Sequence, residues 1–220
     1  MTFSILIRDA ETGAFGGAAA TGSLCVGGWV LRGHPLGGLS ASQGAAPSTL
    51  WGEDVLDLMK AGQTAQAAVD AVTGCDSGRS YRQLCALDLV GRGAVFSGDD
   101  NTPVIAGRTF SSGVAAGNML TSDAVIERLI EGYEITTGAL PDRLLAALRG
   151  AEAAGGDMRG LMSAALLVVA PDRPPLSLRI DLSAAPLDDL ARLLAMATRG
   201  DYADWSRQVP TLDFPERVLG

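Results

Sequence analysis

The sequence predicts an α+β fold in which two antiparallel sheets are sandwiched between helical layers. Three observations carry that expectation. The candidate elements come in blocks, strands then helices, strands then helices, strands and a last helix, whereas a doubly wound parallel sheet alternates strand and helix throughout. The composition is 47% hydrophobic with 19% charged residues, so several segments must be buried on more than one side. The length of 220 residues suits one domain with a sizeable core and no linker. Residues 1–198 read as that domain and 199–220 as a C-terminal tail.

Residues 2–8 alternate, with Phe3, Ile5 and Ile7 on one face and Ser4 and Leu6 on the other, as a strand does. "DAETGAFG" is a turn signal, and the small apolar run "GGAAATGSLCVGGWVL" reads as the second strand of a hairpin. After the glycine-bearing "RGHPLGGLSASQGAAPST", the stretch "LWGEDVLDLMKAG" has Leu50, Val55, Leu58 and Met59 at helical spacing and ends at Gly62. "QTAQAAVDAV" is a second helix. "RQLCALDLVGRGAVFSG" reads as two strands joined at Gly91 to Gly93, and "SSGVAAGNML" as a short strand entering a turn.

Two amphipathic helices follow, "TSDAVIERLIEGYEIT" with Ser122 as its N-cap and "LPDRLLAALRGAEAAGG" started by Pro141 and Asp142. "MSAALLVVAP" and "PLSLRIDLS" form a strand pair, "PLDDLARLLAMATRG" a helix, and "DYADWSRQVPTLDFPERVLG" the tail.

A formal charge of −8 without clustered Lys or Arg argues against a nucleic-acid partner. Lys60 is the single lysine, which removes most candidates for an amine base or Schiff-base nucleophile. With no signal-peptide pattern and no apolar run long enough to span a bilayer, the expectation is a cytoplasmic protein with no membrane partner. The cysteines Cys25, Cys75 and Cys85 lack a CxxC spacing, and His34 is the sole imidazole. Neither a disulfide framework nor a metal site is expected. No phosphate-cradling glycine motif occurs, and no cofactor is expected.

Thr2 carries the sharpest chemical possibility. A residue this small behind Met1 permits removal of the methionine, which leaves a hydroxyl and an α-amine on one residue. That amine has a reference pKa of about 7.7–8.0 and can serve as a general base near neutrality while the hydroxyl attacks a carbonyl. Against this stands the ordinary reading of Thr2 as the first residue of a strand. Asp157 and Arg159 read equally as a turn-capping ion pair or as site residues. Cys25 reads as packing in an apolar strand, His34 as a loop residue, and Trp29, Trp51 and Trp205 as core or interface.

The strings "TFSILIRDAETG", "GNML" and above all "AGGDMRGLMSAALLVV" resemble the bacterial family catalogued as domain of unknown function 1028, grouped with the N-terminal nucleophile (Ntn) hydrolases. The resemblance runs from Thr2 to about Leu194. It implies a four-layer αββα sandwich, hydrolysis of an amide or other C–N bond of a small substrate, and Thr2 as the nucleophile. It matches Gln43, Asn118, Asp157, Arg159 and Ser163 to motif positions; their chemistry suggests catalytic roles for Asn118, Asp157 and Arg159, and substrate contacts are expected from Gln43, Ser163 and Thr21. Asn118, or a backbone N–H beside it, could donate to an oxyanion. Asp157 and Arg159 could pair, orient the terminus or bind a carboxylate.

Two positions depart from the family pattern: Gly22 stands where relatives carry a lysine, and Met162 where they carry Gln. A second class of function therefore stays open, a catalytically inactive binding or scaffold protein on the same fold. A third is hydrolysis through Ser163 or Cys25. The partners expected are a small-molecule substrate and a second copy of the chain, a homodimer contacted through Trp205 and Phe214.

Overall fold

The computed structural model describes residues 2–219. Met1, on whose removal the Thr2 chemistry depends, and Gly220 lie outside the described residues. The order is β1 (Thr2–Arg8), β2 (Phe15–Thr21), α1 (Val26–Trp29), β3 (Leu31–His34), β4 (Gly38–Gly44), α2 (Thr49–Lys60) and α3 (Ala65–Gly74). Then come β5 (Arg82–Leu87), β6 (Gly93–Ser97), β7 (Ile105–Phe110), β8 (Gly113–Asn118), α4 (Ala124–Ile135) and α5 (Leu140–Ala153). The chain finishes with β9 (Ser163–Ala170), β10 (Arg173–Ile180), α6 (Pro186–Ala197) and α7 (Gly200–Ser206).

Every strand pairing is antiparallel. One sheet has six strands in the order β10-β9-β2-β1-β8-β7, the other four in the order β3-β4-β5-β6. The α+β class and the two antiparallel sheets expected from the block order are therefore present.

The alternation of β1 divides its side chains between two cores. Phe3, Ile5 and Ile7 join a cluster with residues of α4, α5 and α6, including Leu129, Leu144 and Leu190. Leu6, on the opposite side, packs between the sheets with Leu39, Ala41, Cys85 and Leu87. A third cluster holds Trp51, Val55 and Met59 of α2 and Val69 of α3 against Leu84, Ala86 and Ala94. Helices thus cover the outer face of each sheet. The small residues of β2 and β9 are buried on both faces, which explains their unbroken apolar runs.

The structure differs from the sequence reading in five places. Residues 16–31 are not one strand: β2 ends at Thr21, and a turn leads through Cys25, at φ 61°, into α1. Tertiary bonds impose that turn, as Cys25 N–H donates to Asp181 O and Val26 N–H to the Ser163 hydroxyl. Cys25 is accordingly half-buried in a turn and not packed in a strand. The glycine-rich run after it forms the hairpin β3–β4, and His34 ends β3. At the turn, Gly38 (φ +84°) meets Leu87 O so closely that a Cβ would stand 2.0 Å from it.

Strand β7 has no counterpart in the reading because "IAGRTF" is a largely exposed edge strand with weak patterning. Helix α4 starts after Asp123, not Ser122, and has no side-chain cap bond. The tail begins with a helix, α7, before its irregular last stretch.

Candidate active site

The six-stranded sheet assembles a row of polar residues at the end where β1 begins. In successive register pairs, Ser163 faces Thr21, Thr21 faces Thr2, and Thr2 faces Asn118. Residues directly opposite in antiparallel strands present their side chains on one face. For this row it is the face toward the second sheet, since Ser4, two residues along β1, hydrogen-bonds Gln43 of β4. All four members are buried. The Thr2 hydroxyl donates to the Thr21 hydroxyl at 3.2 Å.

Behind this row, buried amides bridge the sheets with a defined direction. Gln83 of β5 donates from Nε2 toward Ser97 Oγ (2.8 Å) and the carbonyls of Ala106 and Gly117 (both 3.1 Å). Its carbonyl must therefore face away, and there it accepts from Gln43 Nε2 at 2.7 Å. Gln43 Nε2 also lies 3.4 Å from Thr2 O, while its own carbonyl accepts from Ser4 Oγ at 2.8 Å. The clamp ties the backbone of Thr2 to the second sheet.

Asn101 holds the other flank. Its Nδ2 faces the carbonyls of Gly98 (2.8 Å), Arg82 (3.2 Å) and Ser80 (3.3 Å), and its carbonyl accepts from Ala45 N–H at 2.8 Å. Asn118 Nδ2 points to that same carbonyl at 3.4 Å. The Asn118 Oδ1 is buried and has no hydrogen-bond partner among the described residues.

The loop after α5 closes the β2 side, joined to the Asn118 end by a β-bridge between Leu120 and Asp157. Asp157 has a fully buried side chain. It accepts from Gly22 N–H at 2.5 Å, from Arg159 N–H at 2.9 Å, and from the Arg159 guanidinium at 3.0 and 2.8 Å. Burial opposes the charge of Asp157, but the bonds from Arg159 and from Gly22 N–H outweigh it and hold the carboxyl below the usual range. The bond to Asp157 in turn pushes the guanidinium of Arg159 up. Arg159 also donates to Ser23 Oγ at 3.2 Å.

Gly22 is a glycine for a steric reason. A Cβ there would stand 2.5 Å from Gly160 O and 2.7 Å from both Cγ and Oδ2 of Asp157. No lysine fits at position 22 beside Asp157 in this arrangement, and the cation paired with Asp157 is Arg159.

The structure thus gathers Thr2, Thr21, Asn118, Gln43, Asp157, Arg159 and Ser163 at one end of the sheets. It gives them unequal freedom. Gln43 is committed to Gln83, Ser4 and Thr2 O. The Ser163 hydroxyl donates to Ser23 O at 2.7 Å and accepts from Val26 N–H, which fastens the turn before α1. Both side chains are thus engaged within the protein. The side chain of Arg159 is the most accessible of the set, at 46% exposure.

Gln83 and Asn101 were missed by the sequence reading. A glutamine inside the apolar strand "RQLCAL" was the available signal, because a buried amide demands partners. Asn101 follows two acidic residues in a turn and carries no such mark.

A groove of about 1300 Å³ lies at the opposite end of β1, lined by Asp9, Thr12, Arg143, Arg173, Tyr202 and Trp205 among others. Residues 3–8 of β1 separate it from Thr2, roughly 20 Å at about 3.3 Å per residue. No group of three or more His, Cys, Asp or Glu side chains able to hold a metal occurs among the described residues. Burial pushes the Cys85 thiol far up, so it is inert at neutral pH. Among the described residues no helix is long and apolar enough to cross a membrane.

No curated protein matches this chain. The crystal structure of protein SPO2555 from Silicibacter pomeroyi, described under family model DUF1028, matches with a TM-score of 0.96 at 55% identity. The match covers 100% of this chain and 99% of that chain, the tail included. The model of the family of unknown function DUF1028 matches residues 2–190. With most of its core, its polar row and its "GGDMRG" loop inside that span, the chain belongs to the DUF1028 family.

Proposed function

We propose that the protein is an N-terminal nucleophile hydrolase acting on an amide or other C–N bond of a small substrate, built on a four-layer αββα sandwich. The reading rests on the place of Thr2. It opens a central strand, its hydroxyl lies against Thr21, and Asn118 and the Asp157 loop flank it. Three core clusters, one between the sheets and one beneath each set of helices, support the sandwich.

After loss of Met1, the α-amine of Thr2 accepts the hydroxyl proton as Oγ1 attacks the substrate carbonyl. The resulting oxyanion needs N–H donors. Asn118 Nδ2 is turned toward Asn101, so we assign that role to a backbone N–H beside it. The amine then returns its proton to the leaving nitrogen as the C–N bond breaks. Water hydrolyses the ester left on Thr2, restoring the hydroxyl. Arg159, held by Asp157, supplies positive charge at the mouth of the site.

Two measurements test this. Intact mass of protein purified from its own host should lack the methionine, and an amide-substrate screen should find turnover that Thr2→Ala reduces by about 10³-fold or more. Full activity in Thr2→Ala would overturn the proposal.

The groove beneath α7 favours a second reading, a binding protein in which Thr2 is only structural. A ligand that raises the melting temperature of Thr2→Ala as much as that of the native protein, with Met1 retained, would select it. We also propose a cytoplasmic homodimer contacted through Trp205 and Phe214, which are 48% and 55% exposed. Light scattering giving a dimer that Trp205→Ala with Phe214→Ala converts to monomer is the expected result, and a native monomer refutes it.

A further inference from the structure

The orientation of the buried amides assigns Asn118 a role opposite to oxyanion donation. Asn101 cannot flip: its carbonyl meets Ala45 N–H and its Nδ2 meets three backbone carbonyls, so reversal would set donor against donor and acceptor against acceptors. Asn118 faces the fixed carbonyl of Asn101 and must turn its Nδ2 there. What remains is Asn118 Oδ1, on a side chain with 0% exposure and without a donor among the described residues. A buried carbonyl left unpaired is costly, so this atom is placed for an N–H group. The register pairs Asn118 directly with Thr2, so its side chain stands beside that of Thr2 on the face toward the second sheet.

We infer that Asn118 Oδ1 is the acceptor for the freed α-amine of Thr2, with Asn101 as the residue that sets its direction. The inference rests on the Ntn reading above, since it requires a free amine at Thr2. By taking one N–H of the amine, Asn118 orients the nitrogen lone pair while Gln43 holds the Thr2 carbonyl. Asn118 and Asn101 are then positioning residues. The charged groups on the elements around Thr2 are Asp157 and Arg159, paired with each other, Arg82, paired with Asp76, and the exposed Asp99 and Asp100 on the turn of Asn101.

The test reads the amine itself and needs no substrate. The α-amine of Thr2 is titrated by NMR in the mature native protein, in Asn118→Asp and in Asn118→Leu. Asn118→Asp sets a carboxylate beside the ammonium and should raise its pKa by about one unit or more; Asn118→Leu removes the acceptor and should lower it. The near-isosteric Asp variant keeps the test available if the Leu variant does not fold. An amine whose titration is unmoved by Asn118→Asp overturns the inference. A retained Met1, seen by intact mass, instead overturns the underlying hydrolase reading, so the two failures are distinguishable. If Asn118 serves the oxyanion, Asn118→Leu leaves the amine pKa unchanged while turnover falls, which also overturns the inference.

Discussion

Substituting Gly22 tests the packing on which the whole site depends. In Gly22→Ala the new methyl would stand 2.5 Å from Gly160 O and 2.7 Å from the Asp157 carboxyl. Asp157 cannot easily retreat, because three bonds to Arg159 and one to Gly22 N–H hold it in place. Overpacking of this kind costs about 1–3 kcal/mol, and weakening a hydrogen bond to a charged group costs about 1.5–3 kcal/mol. Partial relaxation of both puts the expected loss near 3 kcal/mol. For a domain of this size that is a drop of about 6–12 °C in melting temperature.

Urea and thermal unfolding of Gly22→Ala measure the loss, with Gly74→Ala as a control of opposite sign. Gly74 ends α3 in open space, and alanine there should be neutral or stabilising by up to about 1 kcal/mol. A Gly22→Ala protein within about 0.5 kcal/mol of the native one would refute the steric account of the missing lysine. Gly22→Lys should be at least as unstable as Gly22→Ala and should gain no activity.

Asp157→Asn should cost about 2–3 kcal/mol by leaving Gly22 N–H and Arg159 poorly matched. The carboxyl of Asp157 sits below its unfolded value of about 3.8, so its stabilisation is complete above that pH and is lost as pH falls through the lower folded value. Acid titration of stability should therefore be flatter in the Asn variant than in the native protein. Gln83→Leu leaves Gln43 Nε2 and the carbonyls of Ala106 and Gly117 short of a partner and should destabilise by about 2–4 kcal/mol in urea unfolding. Thiol titration should find Cys75, which is exposed, reacting at once, and Cys85 reacting only after denaturation.

The gross order of elements was legible because burial leaves a period in the chain. Phe3, Ile5 and Ile7 announce a strand, and the helical spacing of apolar residues in α4, α5 and α6 announces helices that cover a sheet. Residues 16–31 misled because β2 is buried on both faces, so its apolar run passes into the turn before α1 without a break in pattern. Only the bonds of that turn to Ser163 and to Asp181 O end the strand. Strand β7 escaped for the converse reason, as an exposed edge strand owes its form to hydrogen bonds with β8 and not to an apolar face.

The candidate residues Thr2, Asn118 and Asp157 were visible in the sequence as single positions, and the family motif linked them. Sequence by itself determined the α+β class, the alternation that divides β1 between two cores, and a threonine behind the first methionine. Tertiary structure decided the rest, because hydrogen-bond direction belongs to neighbours distant in the chain. Asn101 turns Asn118, Gln83 turns Gln43, and Asp157 leaves room at position 22 for glycine alone. Residues up to 140 positions apart meet there, and no local pattern records which way a buried amide must face.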